Sequence, residues 1–508
     1  MGSGRALWRL GWRHRLFTTT LIFAALVREM VLLAYQPVLL FNGDSYGYLA
    51  NAHRLVPRPW RPIGYPLFLR LVLDVDRNLA AIALVQHAFG LVIGALVYAL
   101  ARRLDAGPLL ATVAAAPVLF DAYQLDIEQF VMAEAVFELL VVGALVLLVW
   151  RPRPSLAACA ASGALLAAAA LTRTVGLVLP LPVIGYLLFR RLGLRRASVF
   201  AAAVVIPLVS YAGWFRLDYG VVGLGDRSGY FLYARVAPFA SCAGLELRSP
   251  ERVLCDPRPP AARPGPNFYL WRRRSPIWRL PTRVGRERNA ILSRFARRVI
   301  INQPTAYLRT VVHDVLHYFE PARTTSLRDE PLRSWQFRPR FPDLEHAARL
   351  IVAFDRAPPV VSPPLARFLR GYQRAIFTPG PLLALAAMAG MLGLLGTGGT
   401  RGRGSAEGAL LAFVGLALVV AAAAGSMFDY RYLLPALPLL PPAGVLGVAC
   451  CVRHARSMIT RHMERPRPVP FWSEVLRRDP GGALFQSRPA ESGRKLLRDA
   501  EEQPGVPQ

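Results

Sequence analysis

The sequence predicts an all-α polytopic membrane protein with about ten transmembrane helices and an outward-facing, mostly helical or irregular domain between the seventh and eighth helices. Of the 508 residues, 54% are hydrophobic, and they fall in blocks of roughly 20, the helix length that crosses a bilayer. The net charge of +29 would suit a nucleic-acid-binding protein, but such proteins are rarely this apolar. The composition therefore predicts membrane lipids, and no nucleic acid, as partners.

The apolar blocks are bounded by arginine, proline or glycine clusters, which sets the limits of each predicted span. The ten predicted spans are 16–40, 79–100, 107–123, 127–150, 156–172, 174–190, 197–215, 378–396, 408–427 and 432–451. The first block is too long for a signal-peptide core and has no small-residue cleavage site, so we expect it to remain as an anchor.

Arginines in the short connections predict the orientation. They cluster before the first span and after the even-numbered spans, and few occur in the opposite connections, so both termini are expected in the cytoplasm of a cell-membrane protein. The predicted parts are a cytoplasmic N-terminus at 1–15, spans one to seven at 16–215 with a first outer loop at 41–78, an extracytoplasmic domain at 216–376, spans eight to ten at 378–451 and a flexible cytoplasmic tail at 453–508.

The predicted outer domain is strongly basic, with 28 arginines against 13 acidic residues. This charge does not reverse the orientation, because long domains are translocated largely regardless of charge. Cys242 and Cys255 both lie in this domain. Oxidising conditions there would allow them to form a disulfide, and two free thiols are the alternative.

Asp44 is the first candidate for chemistry. It follows the first span closely, and Tyr46, Leu49 and His53 come after it at helical spacing, which predicts a short helix in the membrane interface. A fixed carboxylate at this depth could act as a general base toward a hydroxyl group. The alternative is an ordinary N-cap of that helix.

Charged residues within the predicted spans are further candidates. A charge near the bilayer centre costs at least ~2.5–3.5 kcal/mol unless it is paired or faces a cavity. Arg28 and Glu29 lie in span one, and Glu128 and Glu134 lie in span four. A structural ion pair between helices and a substrate-binding role both remain open for Arg28, whereas Glu134 is deep enough to need a partner.

Two arginines near the outer surface could hold a phosphate, since guanidinium meets phosphate oxygens bidentately. Arg431 lies where the last span is entered from outside, and Arg61 begins a proline- and glycine-rich return that includes Tyr65. The alternative for Arg431 is that it anchors the helix end at the membrane interface. The alternative for Arg61 is that it belongs to an ordinary loop and extends its side chain to the lipid headgroups.

His313 and His317 lie on one face of a helix that is predicted to begin at Pro304. A histidine pair four residues apart can bind a metal, but no further ligand is visible, so we expect this polar face to line a substrate cavity. A divalent metal is not supported, and no Walker A or dinucleotide-binding motif occurs in the sequence.

Taken together, these motifs resemble the GT-C superfamily of integral-membrane glycosyltransferases, and within it the protein mannosyltransferases and the aminoarabinose and arabinofuranosyl transferases. The resemblance runs in order over residues 16–450. The motifs are Arg28 in the first span, Asp44 with Tyr48 and Ala52, the Gly64-Tyr65-Pro66 element, the acidic start of span four, Leu171-Thr172-Arg173, and Arg431-Tyr432-Leu433-Leu434-Pro435.

The resemblance implies that Asp44 is the catalytic base or coordinates the reacting centre. Ser45 stands where many members have a second acid, which favours a metal-free displacement without a cofactor. The expected donor is a sugar on a polyprenyl phosphate, since nucleotide sugars are not available outside the membrane, and the acceptor is an envelope glycan, lipid or protein. The expected substrate- or phosphate-binding residues are Arg28, Tyr48, Arg61, Tyr65, Glu128, Glu134, Arg173, His313, His317, Arg431 and Tyr432.

Two other classes of function remain open at this point. A lipid or polysaccharide transporter could use the charges inside the spans as pathway residues. A non-catalytic scaffold could display the basic outer domain. A cavity at the outer membrane surface with Asp44 on its wall would favour the transferase.

Overall fold

The computed structural model describes residues 14–463 except for 42, 283, 342–348, 350, 352–357 and 395–403. Contacts divide the chain into a large unit that ends at Ala455 and a second unit that begins at Arg456. Of the second unit, the structure describes only the backbone of a helix that ends at Met463.

The N-terminal half is almost entirely helical. Its elements are α1 (Arg15–Ala34), β1 (Tyr35–Gln36), α2 (Asp44–His53), α3 (Gly64–Val75), α4 (Leu79–Arg103), α5 (Pro108–Phe120), α6 (Ala122–Gln129), α7 (Glu134–Val149), α8 (Leu156–Thr172), a 3-10 helix (Thr174–Val178), α9 (Pro180–Phe189) and α10 (Leu194–Tyr219). Several begin at side-chain caps, which satisfy free backbone amides. The side chains of Asn78, Asp121 and Ser155 cap α4, α6 and α8.

The C-terminal half begins with short helices and returns to long apolar ones. Its elements are α11 (Ser228–Val236), α12 (Ser249–Arg252), α13 (Pro266–Trp271), α14 (Gly285–Asn302), α15 (Pro304–Tyr318), β2 (Val360–Val361), α16 (Pro363–Ala375), α17 (Gly380–Leu392), α18 (Ser405–Gly425) and α19 (Leu440–Met463), with 3-10 helices at Pro260–Ala262, Pro276–Arg279, Leu332–Trp335, Tyr430–Tyr432 and Leu434–Ala436.

Four helices in the described part of the chain are long and apolar enough to cross a membrane, namely α1, α4, α10 and α18. The number rises to seven if each of three bent helix pairs is one span. Helix α8, and the 3-10 helix with α9, are apolar but shorter. The predicted all-α membrane class is confirmed. The count of ten stays a prediction, because length and composition alone support fewer spans.

The first helix is shorter than its apolar block, which was expected to reach residue 40. Helix α1 ends at Ala34, and Tyr35 of β1 then pairs antiparallel with Val361 of β2. Further on, Leu39 donates its amide to the carbonyl of Gln129 at 3.0 Å. The backbone hydrogen bonds of this segment therefore go to distant chain segments instead of continuing a helix.

The segment at 216–376, which is predicted to be extracytoplasmic, has its own apolar core, in which α11 packs on α14. Tyr233 of α11 and Phe295 of α14 are fully buried with ring centroids 5.6 Å apart. At the edge of this core, Cys242 and Cys255 form a disulfide. Buried aromatic packing and a covalent link together hold a segment that is rich in loops.

Candidate active site

A cavity of about 1970 Å³ lies where residues 41–78, residues 216–376 and the apolar helices meet. Seven of the twelve residues that the sequence singled out for catalysis or substrate binding line this cavity. They are Asp44, Tyr48, Arg61, Glu134, Arg173, Arg431 and Tyr432. Residues from four widely separated stretches of the sequence thus share one wall.

Asp44 is the first residue of α2, and its side chain does not cap the helix. Gly43 occupies the N-cap position with φ of 88°, a left-handed conformation that favours glycine. The Asp44 carboxylate is buried and is held by two guanidinium groups. One oxygen accepts from Arg61, and the other accepts from Nη1 of Arg431 at 2.8 Å. The N-cap alternative is therefore not what the structure shows.

These two arginines determine the charge of Asp44. Burial alone would raise the pKa of this carboxyl, but the guanidinium groups of Arg61 and Arg431 outweigh burial and hold its pKa below the usual range. Asp44 is thus ionised and weakly basic while both arginines are bound to it. A competing anion that drew the arginines away would make the carboxylate more basic.

Arg431 also binds a second acid. Its Nε lies 2.9 Å from an oxygen of Asp429, and the Asp429 side chain caps the following 3-10 helix by accepting from the Arg431 amide at 3.0 Å. Burial raises the pKa of Asp429 to about 6, although Arg431 opposes this rise. The guanidinium of Arg431 is also stacked among aromatic rings, with its Cζ 5.0 Å from the ring centroid of Tyr432 and 5.3 Å from that of Trp335.

Glu134 and Arg173 form a further ion pair in the cavity lining. Glu134 is the first residue of α7 and is fully buried, and Arg173 directly follows α8. The partner that the depth of Glu134 required is therefore Arg173. The Cζ of Arg173 lies 5.5 Å from the ring centroid of Tyr432, so this pair borders the surroundings of Arg431.

Close packing joins two of the motifs that carry the resemblance. A Cβ atom on Gly64 would lie 2.6 Å from Oγ1 of Thr172 and 2.7 Å from the carbonyl carbon of Leu171. The Gly64-Tyr65-Pro66 element thus packs directly on the Leu171-Thr172-Arg173 element, and only glycine allows this approach.

Arg28 and Glu128 lie outside the cavity lining and form an ion pair with each other. The Nε of Arg28 is 2.9 Å from one Glu128 oxygen, and Nη2 is 3.1 Å from the other. The remaining guanidinium hydrogens reach backbone carbonyls. Arg28 thus forms the structural ion pair between helices that was the alternative to a substrate-binding role, and its partner is Glu128 of α6.

Tyr65 and the two histidines also lie outside the lining. The Tyr65 hydroxyl donates to Oε1 of Gln86 at 2.8 Å, behind Tyr48. The ring of His317 stacks on Phe428 at 4.2 Å, and His313 is largely exposed. We expected the histidine face to line a substrate cavity, but the structure differs, because His317 packs against Phe428 instead.

The described residues contain no group of three or more His, Cys, Asp or Glu that could hold a metal.

The sequence reasoning missed several lining residues. Asp429 lies within the motif around Arg431 but received no role. Trp60, Trp271 and Arg272 also line the cavity. The run Trp271-Arg272-Arg273-Arg274 was a possible signal for them, but nothing local to this run indicates that it faces the first outer loop.

No family model matches the chain, and no curated protein matches it. The chain is similar to several solved structures, two of which are described here. The apo oligosaccharyltransferase of Archaeoglobus fulgidus is 13% identical with a TM-score of 0.42, over 91% of this chain and 53% of that one. ArnT from Cupriavidus metallidurans is 17% identical with a TM-score of 0.34, over 88% of this chain and 78% of that one.

Both of these structures are glycosyltransferases of the GT-C fold, the superfamily that the sequence motifs resemble. The chain spans about half the length of the oligosaccharyltransferase. Because both TM-scores are below 0.5, these likenesses carry no weight for the activity of this chain, and its function has to follow from its own residues.

Proposed function

We propose that this chain is a membrane glycosyltransferase that moves a sugar from a polyprenyl-phosphate carrier to an extracytoplasmic glycan, lipid or protein. The observation that supports this most is the arrangement around Asp44. A buried carboxylate, held by two guanidinium groups, faces a large cavity that also has an apolar wall. A lipid-linked sugar phosphate needs these three features: an acid–base group, a phosphate site and an apolar path.

The apolar wall comes from the 3-10 helix that precedes α9 and from α18, a helix long and apolar enough to cross a membrane. The 3-10 helix contributes Val175, Leu177 and Val178, and α18 contributes Leu418 and Ala422. The side chain of Leu177 is 46% exposed, so this wall is accessible to a lipid chain. The arginines at the deep end of the same cavity would then meet the phosphate of that lipid at headgroup level.

In the proposed reaction, the donor phosphate first competes with Asp44 for Arg61 and Arg431. The released carboxylate accepts the proton of the acceptor hydroxyl, and the acceptor oxygen forms a bond to the anomeric carbon. The bond between that carbon and the phosphate oxygen breaks, and the oxygen keeps the electron pair. Arg61 and Arg431 neutralise the departing phosphate. Attack from the face opposite the leaving group inverts the anomeric centre.

The residues around Asp44 do not fit a divalent cation. Both carboxylate oxygens already accept from guanidinium groups, and the neighbouring Ser45 hydroxyl donates to the Val131 carbonyl at 2.9 Å. A cation would have to displace two positive charges from a single carboxylate. The proposal therefore assigns charge neutralisation to the arginines, and no step passes through a metal.

The test is transfer by purified protein in proteoliposomes with a panel of polyprenyl-phosphate sugars, measured as release of polyprenyl phosphate. We expect one donor class to be consumed. Asp44→Asn should slow release by about 10²–10⁴-fold, the usual contribution of general acid–base catalysis. The matched control is Asp74→Asn, because Asp74 is 55% exposed, pairs only with Arg70 and lies outside the cavity.

Two results would contradict the proposal. If the folded Asp44→Asn protein retained activity within tenfold of wild type, Asp44 would not be the base. If folded wild-type protein consumed no donor but moved labelled lipid across the same bilayers, the transporter class would replace the transferase.

A further inference from the structure

The exposed end of the cavity has an aromatic surface that the proposed chemistry does not use. We call Trp60, Phe231 and Trp271 the aromatic shelf. The ring centroids of Trp60 and Trp271 are 5.3 Å apart, and Phe231 lies edge-on to Trp60 at 6.1 Å. Trp60 is 38% exposed and Trp271 is 51% exposed. The guanidinium of Arg227 lies over the Trp60 ring at 5.2 Å from its centroid, so the more exposed ring of Trp271 offers the larger free surface. Large exposed aromatic rings in a cavity lining are typical of a ligand site.

Only some of the charges in the cavity lining are paired with each other. Eight arginines and five carboxylates line the cavity. Asp44, Glu134 and Asp429 are all paired with arginines. The other five lining arginines form no ion pair with a carboxylate in the described part of the chain, and only two acids line the cavity with them. These five arginines are Arg58, Arg272, Arg328, Arg333 and Arg338.

Arg272 is the unpaired lining arginine that adjoins the aromatic shelf. It directly follows Trp271 at the end of α13, and it is exposed like Arg273 and Arg274. At the other side of the shelf, Trp60 directly precedes Arg61, which holds Asp44. A ligand on the shelf would thus have unpaired positive charge on one side and the proposed base on the other.

We propose that the aromatic shelf and its arginines form the acceptor subsite, and that the acceptor is a saccharide carrying carboxylate, phosphate or sulfate groups. This inference rests on the proposed transferase function. The apolar C–H face of a sugar ring packs on an aromatic ring, and its anionic substituent meets guanidinium groups bidentately. A basic peptide is disfavoured, because the exposed Arg272 beside Trp271 and the excess of arginines over carboxylates in the lining would repel it.

The same chemistry could come from a soluble polysaccharide or from the headgroup of an anionic glycolipid. The soluble arm measures binding of hexagalacturonate and of a neutral galactose hexamer to the full chain in neutral nanodiscs, by tryptophan fluorescence. The membrane arm uses nanodiscs with glucuronosyl diacylglycerol or neutral glucosyl diacylglycerol. We expect the acidic sugar to bind at least tenfold more tightly in at least one arm, and binding to weaken as salt is added.

Matched variants test the location. Trp271→Ala and Arg272→Gln should each weaken acidic-sugar binding by roughly tenfold or more, as expected for losing a contact to a charged group or a stacked ring. Trp278→Ala and Arg297→Gln are the controls, because Trp278 is 49% exposed and Arg297 is exposed, and both lie outside the cavity lining. The controls should bind like wild type.

The acceptor inference is overturned if neutral and acidic sugars bind equally in both arms, or if the control variants lose binding as much as the shelf variants. Binding does not require turnover, so its result is independent of the donor assay. If a donor is consumed but acidic sugars bind no more tightly than neutral ones, only the acceptor assignment is wrong. If acidic sugars bind at the shelf but no donor is consumed, only the transferase assignment is wrong.

Discussion

Replacing Arg431 by glutamine should impair transfer more than the same change at Arg61. Arg431 contacts two carboxylates, Asp44 at 2.8 Å and Asp429 at 2.9 Å, and its side chain is 11% exposed. Among the carboxylates in the described part of the chain, Arg61 pairs with Asp44 alone, and its side chain is 29% exposed. Both arginines contact Asp44, the proposed base. The comparison therefore separates the effects of burial and of the number of partners from the effect of being close to Asp44.

The magnitude follows from the environment of each charge. A fixed donor that faces developing negative charge in a water-poor site contributes about 10²–10³ in rate, so Arg431→Gln should lose about that much activity. Solvent screens Arg61 more strongly, and a partly exposed pair contributes at most ~1 kcal/mol, or roughly fivefold. Arg70→Gln is the control, because its pair with Asp74 is exposed and it should transfer at the wild-type rate.

The assay is the initial rate of polyprenyl phosphate release, with unfolding temperature as the check on folding. The pH profile gives a second readout. A positive neighbour stabilises the carboxylate, so removing Arg431 should raise the pKa of Asp44 and move the acid limb of kcat/KM to higher pH. An equal or larger loss for Arg61→Gln, or an unchanged acid limb in Arg431→Gln, would refute this reasoning.

Two further predictions concern stability. A Cβ on Gly90 would collide with the buried ion pair between α1 and α6, so Gly90→Ala should destabilise the protein by about 3–5 kcal/mol. Gly213→Ala, where a Cβ meets nothing within 4 Å, should not, and equal unfolding temperatures would contradict the prediction. Burial raises the pKa of Asp429 from 3.8 to about 6, so its stabilising contribution is present below about pH 4 and lost as pH rises through 6. Asp429→Asn should remove this part of the pH dependence in thermal unfolding, and identical profiles would rule it out.

The class of the protein could be predicted from the sequence because hydropathy is local. A block of apolar residues has the same preference for a bilayer wherever the chain folds, and the structure is built from the apolar helices that these blocks contain. Breaks within blocks were harder to predict. Helix α5 ends at Phe120, and Asp121 caps α6. One polar residue therefore separates two helices where the composition indicates a nearly continuous apolar block.

The candidate site was only partly predictable for a related reason. Asp44, Arg61 and Arg431 could be chosen because each lies beside a predicted membrane surface, where a lipid phosphate would be. Which residues Asp44, Arg61 and Arg431 contact could not be predicted from the sequence. Asp44 and Arg431 are 387 positions apart, and the spacing of such residues in the sequence carries no information about a 2.8 Å contact.

For the buried charges too, the sequence predicts the need for a partner, and the tertiary structure decides which residue that partner is. Composition indicated that Arg28 and Glu134 each need a partner, because an unpaired charge inside a bilayer is costly. The tertiary structure decided that Arg28 pairs with Glu128, 100 positions away, and that Glu134 pairs with Arg173. It likewise turned His317 onto Phe428 and placed Trp60 against Trp271.

The sequence by itself thus determined that this is a helical membrane protein, and it predicted candidate site residues near one membrane surface, since each of these properties depends on a short stretch of chain. Only the tertiary structure decided which charges neutralise each other, which are left unpaired beside the aromatic shelf, and which histidines are used in packing. Ion pairs and ring contacts act over a few ångströms, so they depend on how distant segments pack.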